Sequence, residues 1–138
     1  MSAEPPRGQP GPPSQHLLDI NVLLAAVWSN HPQHARAFAW MSGKSVLLCP
    51  LSELGFLRIS TNKNAINAPM AEARKLLAKF IVDRQANRIP DDLPPLDSHA
   101  TRSQQVTDLY LADLAASHGV RFGTFDQAIT HPAVDVIA

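Results

Sequence analysis

Short apolar runs alternate with longer helical patterns along this chain, and this alternation constrains its fold more than any other feature. Apolar segments at 16–18, 46–49 and 120–125 have the length of buried strands, and weaker strand candidates lie at 88–89 and 134–137. Strands separated by helices form a parallel sheet with helices on both faces. The sequence therefore predicts a single α/β domain.

The helical segments are bounded by recognisable start and stop signals. The pattern predicts helices at 21–28, 32–41, 52–60, 69–85 and 108–118. Pro32 is suited to the first position of the second helix, and Pro50 is expected to end the strand before the third. Thr107 is the predicted N-cap of the last helix and Gly119 its C-terminal stop.

Composition excludes several classes of protein. The 138 residues suffice for one domain, and 12 basic residues balance 12 acidic ones, so nucleic-acid binding would need a local patch. Cys49 is the only cysteine and lies in an apolar run, which favours a buried thiol in a reducing compartment. These features favour a cytoplasmic protein.

No segment of the sequence resembles a membrane span, and the first residues do not resemble an export signal. The longest apolar run, 22–28, is much shorter than the roughly 20 residues that span a bilayer. Residues 1–15 are rich in proline and glycine without a hydrophobic segment, so we expect a disordered leader rather than a signal peptide. Residues 16–138 are then the folded domain.

Four carboxylates stand at equivalent junctions between strands and helices. Asp19 follows the first strand, Glu53 and Asp108 begin helices, and Asp126 ends the 120–126 strand. Helix caps and turns explain isolated acids at such places, but Asp19 has apolar neighbours on both sides. Because strand ends and helix starts meet at one edge of a parallel sheet, we expect the four side chains to converge.

Converging carboxylates repel one another, so a cation must neutralise them or some of their pKa values must rise. Oxygen ligands select a hard ion such as Mg²⁺ or Mn²⁺. Such an ion binds phosphodiesters and activates water, which is the chemistry of nucleases. Asn21 and Thr124, each two residues from an acid, are candidates to orient the ligands.

At these residues the sequence resembles the PIN-domain ribonucleases, and most closely the toxins of VapBC-type toxin–antitoxin pairs. The matching segments are 18-LDINVLLA-25, 31-HPQHARAFAW-40, 50-PLSELGFLRISTN-62 and 107-TDLYLADLAASHGVRFGTFD-126. They run in order through nearly all of the chain beyond the leader.

The resemblance implies a three-layer α/β/α fold with about five parallel strands, and metal-dependent endonucleolytic cleavage of RNA. It implies that the metal and catalytic acids are Asp19, Glu53, Asp108 and Asp126. Asn21 and Thr124 would support them, with Ser52 a weaker candidate. The resemblance also implies a homodimer and an antitoxin partner that occupies the active-site groove.

Other polar residues carry weaker signals. Arg58, with Lys63 and Arg36, could contact RNA phosphates, although an ordinary charged surface explains them slightly better. Asp113 lies five residues after Asp108 and so points away around the helix.

Two other functions remain open from the residues alone. One is a phosphatase with Asp19 as the nucleophile, although Asn21 stands where such enzymes usually have a second aspartate. The other is a PIN-like scaffold that binds RNA or protein without cleavage.

Overall fold

The computed structural model describes residues 14–138, so the predicted leader lies outside it except for its last two residues. The elements, in chain order, are β1 Ser14–Leu18, α1 Ile20–Val27, α2 His34–Trp40, β2 Lys44–Leu48, α3 Pro50–Thr61, α4 Met70–Asp83, β3 Asn87–Arg88, α5 Val106–Ser117, β4 Arg121–Thr124 and β5 Val134–Val136. Two single 3₁₀ turns, Pro95–Asp97 and Ser103–Gln105, interrupt the long connection before α5.

The five strands form one parallel sheet in the order β3-β2-β1-β4-β5. The central strand β1 pairs Leu17 with Leu47 of β2 on one side and with Phe122 of β4 on the other. This arrangement, with helices on both faces, confirms the predicted three-layer α/β/α fold.

Alternation along the strands divides the core into two layers. Leu18 and Leu48 pack with α1, α3 and α4 on one face of the sheet. Leu17 and Leu47, their neighbours in sequence, pack with Phe122 and the helix α5 on the other. Successive side chains of a strand point to opposite faces, so a strand buried on both faces reads as an unbroken apolar run.

Three predicted boundaries were wrong. Pro32 lies in a turn before α2, because the His31 ring accepts a 3.0 Å hydrogen bond from the Gln33 N–H and delays the helix. Pro50 follows the end of β2 as predicted, but α3 begins at this residue and not at Ser52, because the missing N–H of proline costs nothing at the first helical position. Thr107 is the second residue of α5, because the preceding 3₁₀ turn runs directly into this helix.

The other boundaries agree with the sequence within two or three residues. The strand β1 begins at Ser14, two residues before the predicted start of the domain. Gly119 follows the end of α5 with a φ of 69°, which is the left-handed conformation expected at a helix stop. Among residues 14–138, no helix is both long and apolar enough to cross a membrane.

Candidate active site at the switch point of the sheet

The order of the strands reverses beside β1, and ligand crevices form at such a switch point. From β1 the chain proceeds outward through β2 and β3, and it then returns to β4 on the opposite side of β1. Asp19 follows β1 directly, and Asp126 lies two residues beyond β4. Asp108 lies in the first turn of α5. The carboxyl ends of β1 and β4 therefore present these acids at one crevice.

Asp19 is fixed as the N-cap of α1 and is only 3% exposed. Its N–H donates to the Gly123 carbonyl at 2.9 Å, which ties the end of β1 to β4. Its Oδ2 accepts a 2.7 Å hydrogen bond from the Thr124 hydroxyl, and its Oδ1 accepts a 3.4 Å hydrogen bond from the Asn21 N–H. These contacts hold the buried carboxylate in one orientation.

Thr124 connects two of the acids through one hydroxyl. While it donates to Asp19, its Oγ1 also accepts a 3.1 Å hydrogen bond from the Asp126 N–H. Asp126 closes its own turn, because its Oδ1 accepts from the Ala128 N–H at 2.9 Å. The Thr124 hydroxyl thus orients Asp19 and Asp126 relative to each other, and its supporting role in catalysis stays a prediction.

Burial and neighbouring charge shift the pKa values of the acids at this crevice. Burial raises the pKa of Asp108 to about 7, with further contributions from the charges of Asp19 and Asp126 and from a hydrogen bond with Asp19. Burial also raises the pKa of Asp19, against the opposing effect of the Thr124 hydrogen bond. Asp19, Asp108 and Asp126, here called the acid cluster, thus carry the crowded negative charge expected from the sequence.

Glu53 is placed differently from the other three acids. It lies in the first turn of α3, after β2, but its two carboxylate oxygens accept hydrogen bonds from the Arg88 guanidinium at 2.8 and 2.9 Å. Arg88 ends the edge strand β3, next to β2. The structure therefore brings Glu53 to the same sheet edge and pairs it with an arginine instead of with the acid cluster.

The remaining predicted residues occupy more peripheral positions. The buried Ser52 hydroxyl accepts from the Cys49 N–H at 3.0 Å and donates to the Cys49 carbonyl at 2.9 Å, so it stabilises the start of α3. Asn21 is exposed beside Asp19, and its backbone makes the contact described above. Arg58 is exposed on α3, about 140° around the helix from Glu53. The functional roles of these residues stay predictions.

Two arginines near the acids were missed in the sequence. Arg102 lines a cavity of about 240 Å³ together with Asp108 and Asp126, and it forms no ion pair among the described residues. No sequence pattern marks this position, which lies in an irregular loop. Arg88 could have been found, because it lies in the short predicted strand 88–89, and the ends of parallel strands share the functional edge.

The acid cluster has the ligand chemistry of a hard cation, with carboxylates and a hydroxyl and no sulfur or imidazole. Within residues 14–138, no three His, Cys, Asp or Glu side chains are placed to ligate one ion together. Mg²⁺ does not require such a cage, since it is commonly held by one or two carboxylates with waters and substrate phosphates. Burial, followed by the charges of Asp19 and Asp126, raises the pKa of Asp108, and a bound cation would favour the ionised form.

Comparisons with known proteins point to one family, although no protein-family model matches the chain. This chain is 36% identical over 126 residues to ribonuclease VapC38 of Mycobacterium tuberculosis (strain H37Rv), and the alignment covers 82% of this chain and 86% of that protein. Ribonuclease VapC44 of the same species is 39% identical over 128 residues, covering 86% and 90%.

A solved structure shares the fold at much lower identity. The crystal structure of VapBC2 from Rickettsia felis bound to a DNA fragment from its promoter aligns with a TM-score of 0.54 at 11% identity, over 81% of this chain and 88% of that one. This likeness shows the architecture alone. The two relatives from Mycobacterium tuberculosis carry the family assignment. The chain belongs to the VapC family of PIN-domain ribonucleases.

Proposed function

We propose that this protein is a Mg²⁺- or Mn²⁺-dependent endoribonuclease that acts as the toxin of a toxin–antitoxin pair. The observation that carries the proposal is the acid cluster, where burial, together with the charges of Asp19 and Asp126, raises the pKa of Asp108 to about 7. Relatives named ribonuclease, each matching more than four-fifths of the chain, support RNA as the substrate.

Each residue of the site has a distinct part in the proposed mechanism. Asp19, Asp108 and Asp126 would hold the ion, in part through bound waters, and the Thr124 hydroxyl fixes the orientation of the Asp19 carboxylate. In the absence of an ion, burial and the nearby charges of Asp19 and Asp126 raise the pKa of Asp108 to about 7. The ion would supply the positive charge that binds the scissile phosphodiester and activates water for its hydrolysis.

The arginines at this edge supply charge for the nucleic acid. Arg102 lines the cavity beside Asp108 and Asp126, where its guanidinium can bind a phosphate of the RNA strand. Glu53 becomes a fourth ligand only when it leaves Arg88, and Arg88 is then free to contact a phosphate.

The test is cleavage of RNA by matched aspartate variants. Purified protein is incubated with total RNA in Mg²⁺ or in chelator, and the new 5′ ends are mapped. We expect Asp108→Asn to reduce cleavage by at least about a hundredfold, because a ligand of the ion is lost. Asp113→Asn is the matched control, since Asp113 lies on the same helix but pairs with His131 at 2.8 Å.

Three results would contradict the proposal. Cleavage that persists in chelator would remove the ion from the mechanism, and equal cleavage by Asp108→Asn and wild type would remove the acid cluster. If no RNA is cut and no Mn²⁺ binds, the protein is a scaffold. A phosphoryl group trapped on Asp19 would favour a phosphatase, which the geometry disfavours because both of its oxygens already accept hydrogen bonds.

The partners and location follow from the same proposal. We expect expression of the protein to arrest growth and co-expression of a cognate antitoxin to restore it, because the antitoxin would cover the crevice of the acid cluster. We also expect a homodimer by light scattering and a cytoplasmic location, where the RNA is found. Growth arrest by Asp108→Asn equal to that of wild type would separate toxicity from nuclease activity.

A further inference from the structure

A second cavity, of about 340 Å³, lies on the other side of the start of α5 and is here called the α5 pocket. Its apolar walls are formed by Leu51, Leu93, Pro95, Val106 and Tyr110. The volume lies in the range of about 300–1,000 Å³ that is typical of pockets for small organic groups. The proposed catalytic chemistry does not use this pocket.

The α5 pocket adjoins the acid cluster through the backbone of one helix. Thr107 lines the pocket and Asp108 belongs to the acid cluster, so their Cα atoms are about 3.8 Å apart. Leu51, which also lines the pocket, lies two residues before Glu53 on α3. A strand of RNA with its phosphate at the acids therefore has a neighbouring base within reach of the pocket.

Polar groups line the same pocket. Asp91, Ser98 and Thr107 provide a carboxylate and two hydroxyls among the apolar walls. Asp91 lines the pocket together with Tyr110, the aromatic side chain of its wall. Burial raises the pKa of the Tyr110 hydroxyl, and the charge of the Asp91 carboxylate raises it further. Apolar walls with a few hydrogen-bonding groups suit a nucleobase, which has apolar faces and polar edges.

We propose that the α5 pocket binds an unpaired guanine next to the scissile phosphate, with the Asp91 carboxylate accepting hydrogen bonds from its N1–H and N2 amino group. This inference rests on the proposed ribonuclease function and adds a base preference to it.

The chemistry of Asp91 selects guanine among the four bases. Guanine presents two adjacent donors on its Watson–Crick edge, which match the two oxygens of a carboxylate. Adenine and cytosine present one amino group beside a ring acceptor, and uracil presents one N–H between two carbonyl oxygens. An apolar side chain of a protein partner would bury Asp91 without a hydrogen-bond partner, which is unfavourable.

The first arm of the test uses short RNAs that span a mapped cleavage site. The bases on either side of the cut are replaced in turn by guanine, inosine, which lacks the N2 amino group, and adenine. We expect guanine at one of these positions to raise kcat/KM about tenfold over adenine, with inosine between them. Asp91→Asn should remove this preference, because an amide cannot accept both hydrogen bonds.

Asp92→Asn is the matched control for Asp91→Asn. Asp92 is the next residue, is fully exposed and pairs with His118 at 2.8 Å instead of lining the pocket. This variant should retain the guanine preference of wild type. Equal base preference in Asp91→Asn and Asp92→Asn would overturn the inference. If Asp91→Asn keeps the base preference but loses antitoxin binding, the inference is also overturned, because the pocket then binds the protein partner.

The second arm needs no catalysis. Guanosine 5′-monophosphate and adenosine 5′-monophosphate are titrated into metal-free protein while the amide resonances of Val106 and Thr107 are followed by NMR. Shifts with the guanosine nucleotide that are absent in Asp91→Asn support the pocket even if no RNA is cleaved, in which case only the proposed function fails. Cleavage of RNA without any such shift, and without a guanine preference, refutes the pocket alone.

Discussion

Replacement of Asp108 by asparagine should stabilise the metal-free protein at alkaline pH while it removes a ligand from the site. The pKa of Asp108 rises from its ordinary value of 3.8 to about 7 in the folded protein. The folded state therefore binds a proton more tightly than the unfolded state, and the free energy of unfolding falls as pH rises between these two values. Asparagine carries no charge and can donate to Asp19 as the protonated acid does.

The magnitude follows from the two pKa values. A difference of about three corresponds to at most about 4 kcal/mol, and partial exposure of Asp108 to solvent reduces this to about 1–2 kcal/mol. Between pH 5 and pH 8, where about two-thirds of the loss falls, Asp108→Asn should gain about 1 kcal/mol relative to wild type. For a chain of this size, that gain is a difference in Tm of about 3–5 °C.

The assay is thermal unfolding in chelator, followed by circular dichroism at intervals from pH 5 to pH 8. Differences between variant and wild type cancel the titration of the histidines common to both. Asp97→Asn is the control for the loss of an aspartate, since Asp97 is exposed in a 3₁₀ turn outside the acid cluster. A pH-independent effect of Asp108→Asn, or a larger gain at pH 5 than at pH 8, would refute the crowding of the acids.

Three further substitutions test the packing around the site. Thr124→Val removes the hydroxyl that donates a hydrogen bond to Asp19, so the free energy of unfolding in urea should fall by about 1–3 kcal/mol. An unchanged free energy of unfolding would mean that this hydrogen bond is not formed. Gly123→Ala places a Cβ 2.4 Å from the Trp40 ring, which should cost about 1–3 kcal/mol and change the near-UV circular dichroism of the indole. Leu111→Ala, at a fully buried position of α5, should lower the free energy of unfolding in urea by about 2–5 kcal/mol, while RNA cleavage per folded molecule stays unchanged.

The strands and the order of layers could be predicted because burial on both faces leaves a direct signal in sequence. Runs such as 46–49 must be apolar without interruption when helices cover both faces. Helix starts were less predictable, because they depend on contacts such as the His31 ring before α2, and a single chain shows such contacts only once it is folded.

The convergence of the acids was predictable in part, for a topological reason. Asp19 and Asp126 follow strands whose ends meet at one edge whatever the details of packing, so their approach follows from the fold. The orientation of Glu53 does not follow from the fold. It depends on Arg88, which lies in a strand of only two residues that leaves a weak pattern in the sequence. Arg102 and the α5 pocket depend on a loop whose path has no periodic signal.

The pairing of β1 with β4 has a consequence for synthesis of the protein. Asp19 is translated about a hundred residues before Asp126, and the carbonyl of Gly123 and the hydroxyl of Thr124 that hold it arrive with that late segment. A nascent chain on the ribosome therefore lacks a complete centre until its final quarter has emerged and inserted beside the first strand. An incomplete product that ends before β4 lacks both of these contacts, so its Asp19 is not held in the orientation that the folded chain gives it.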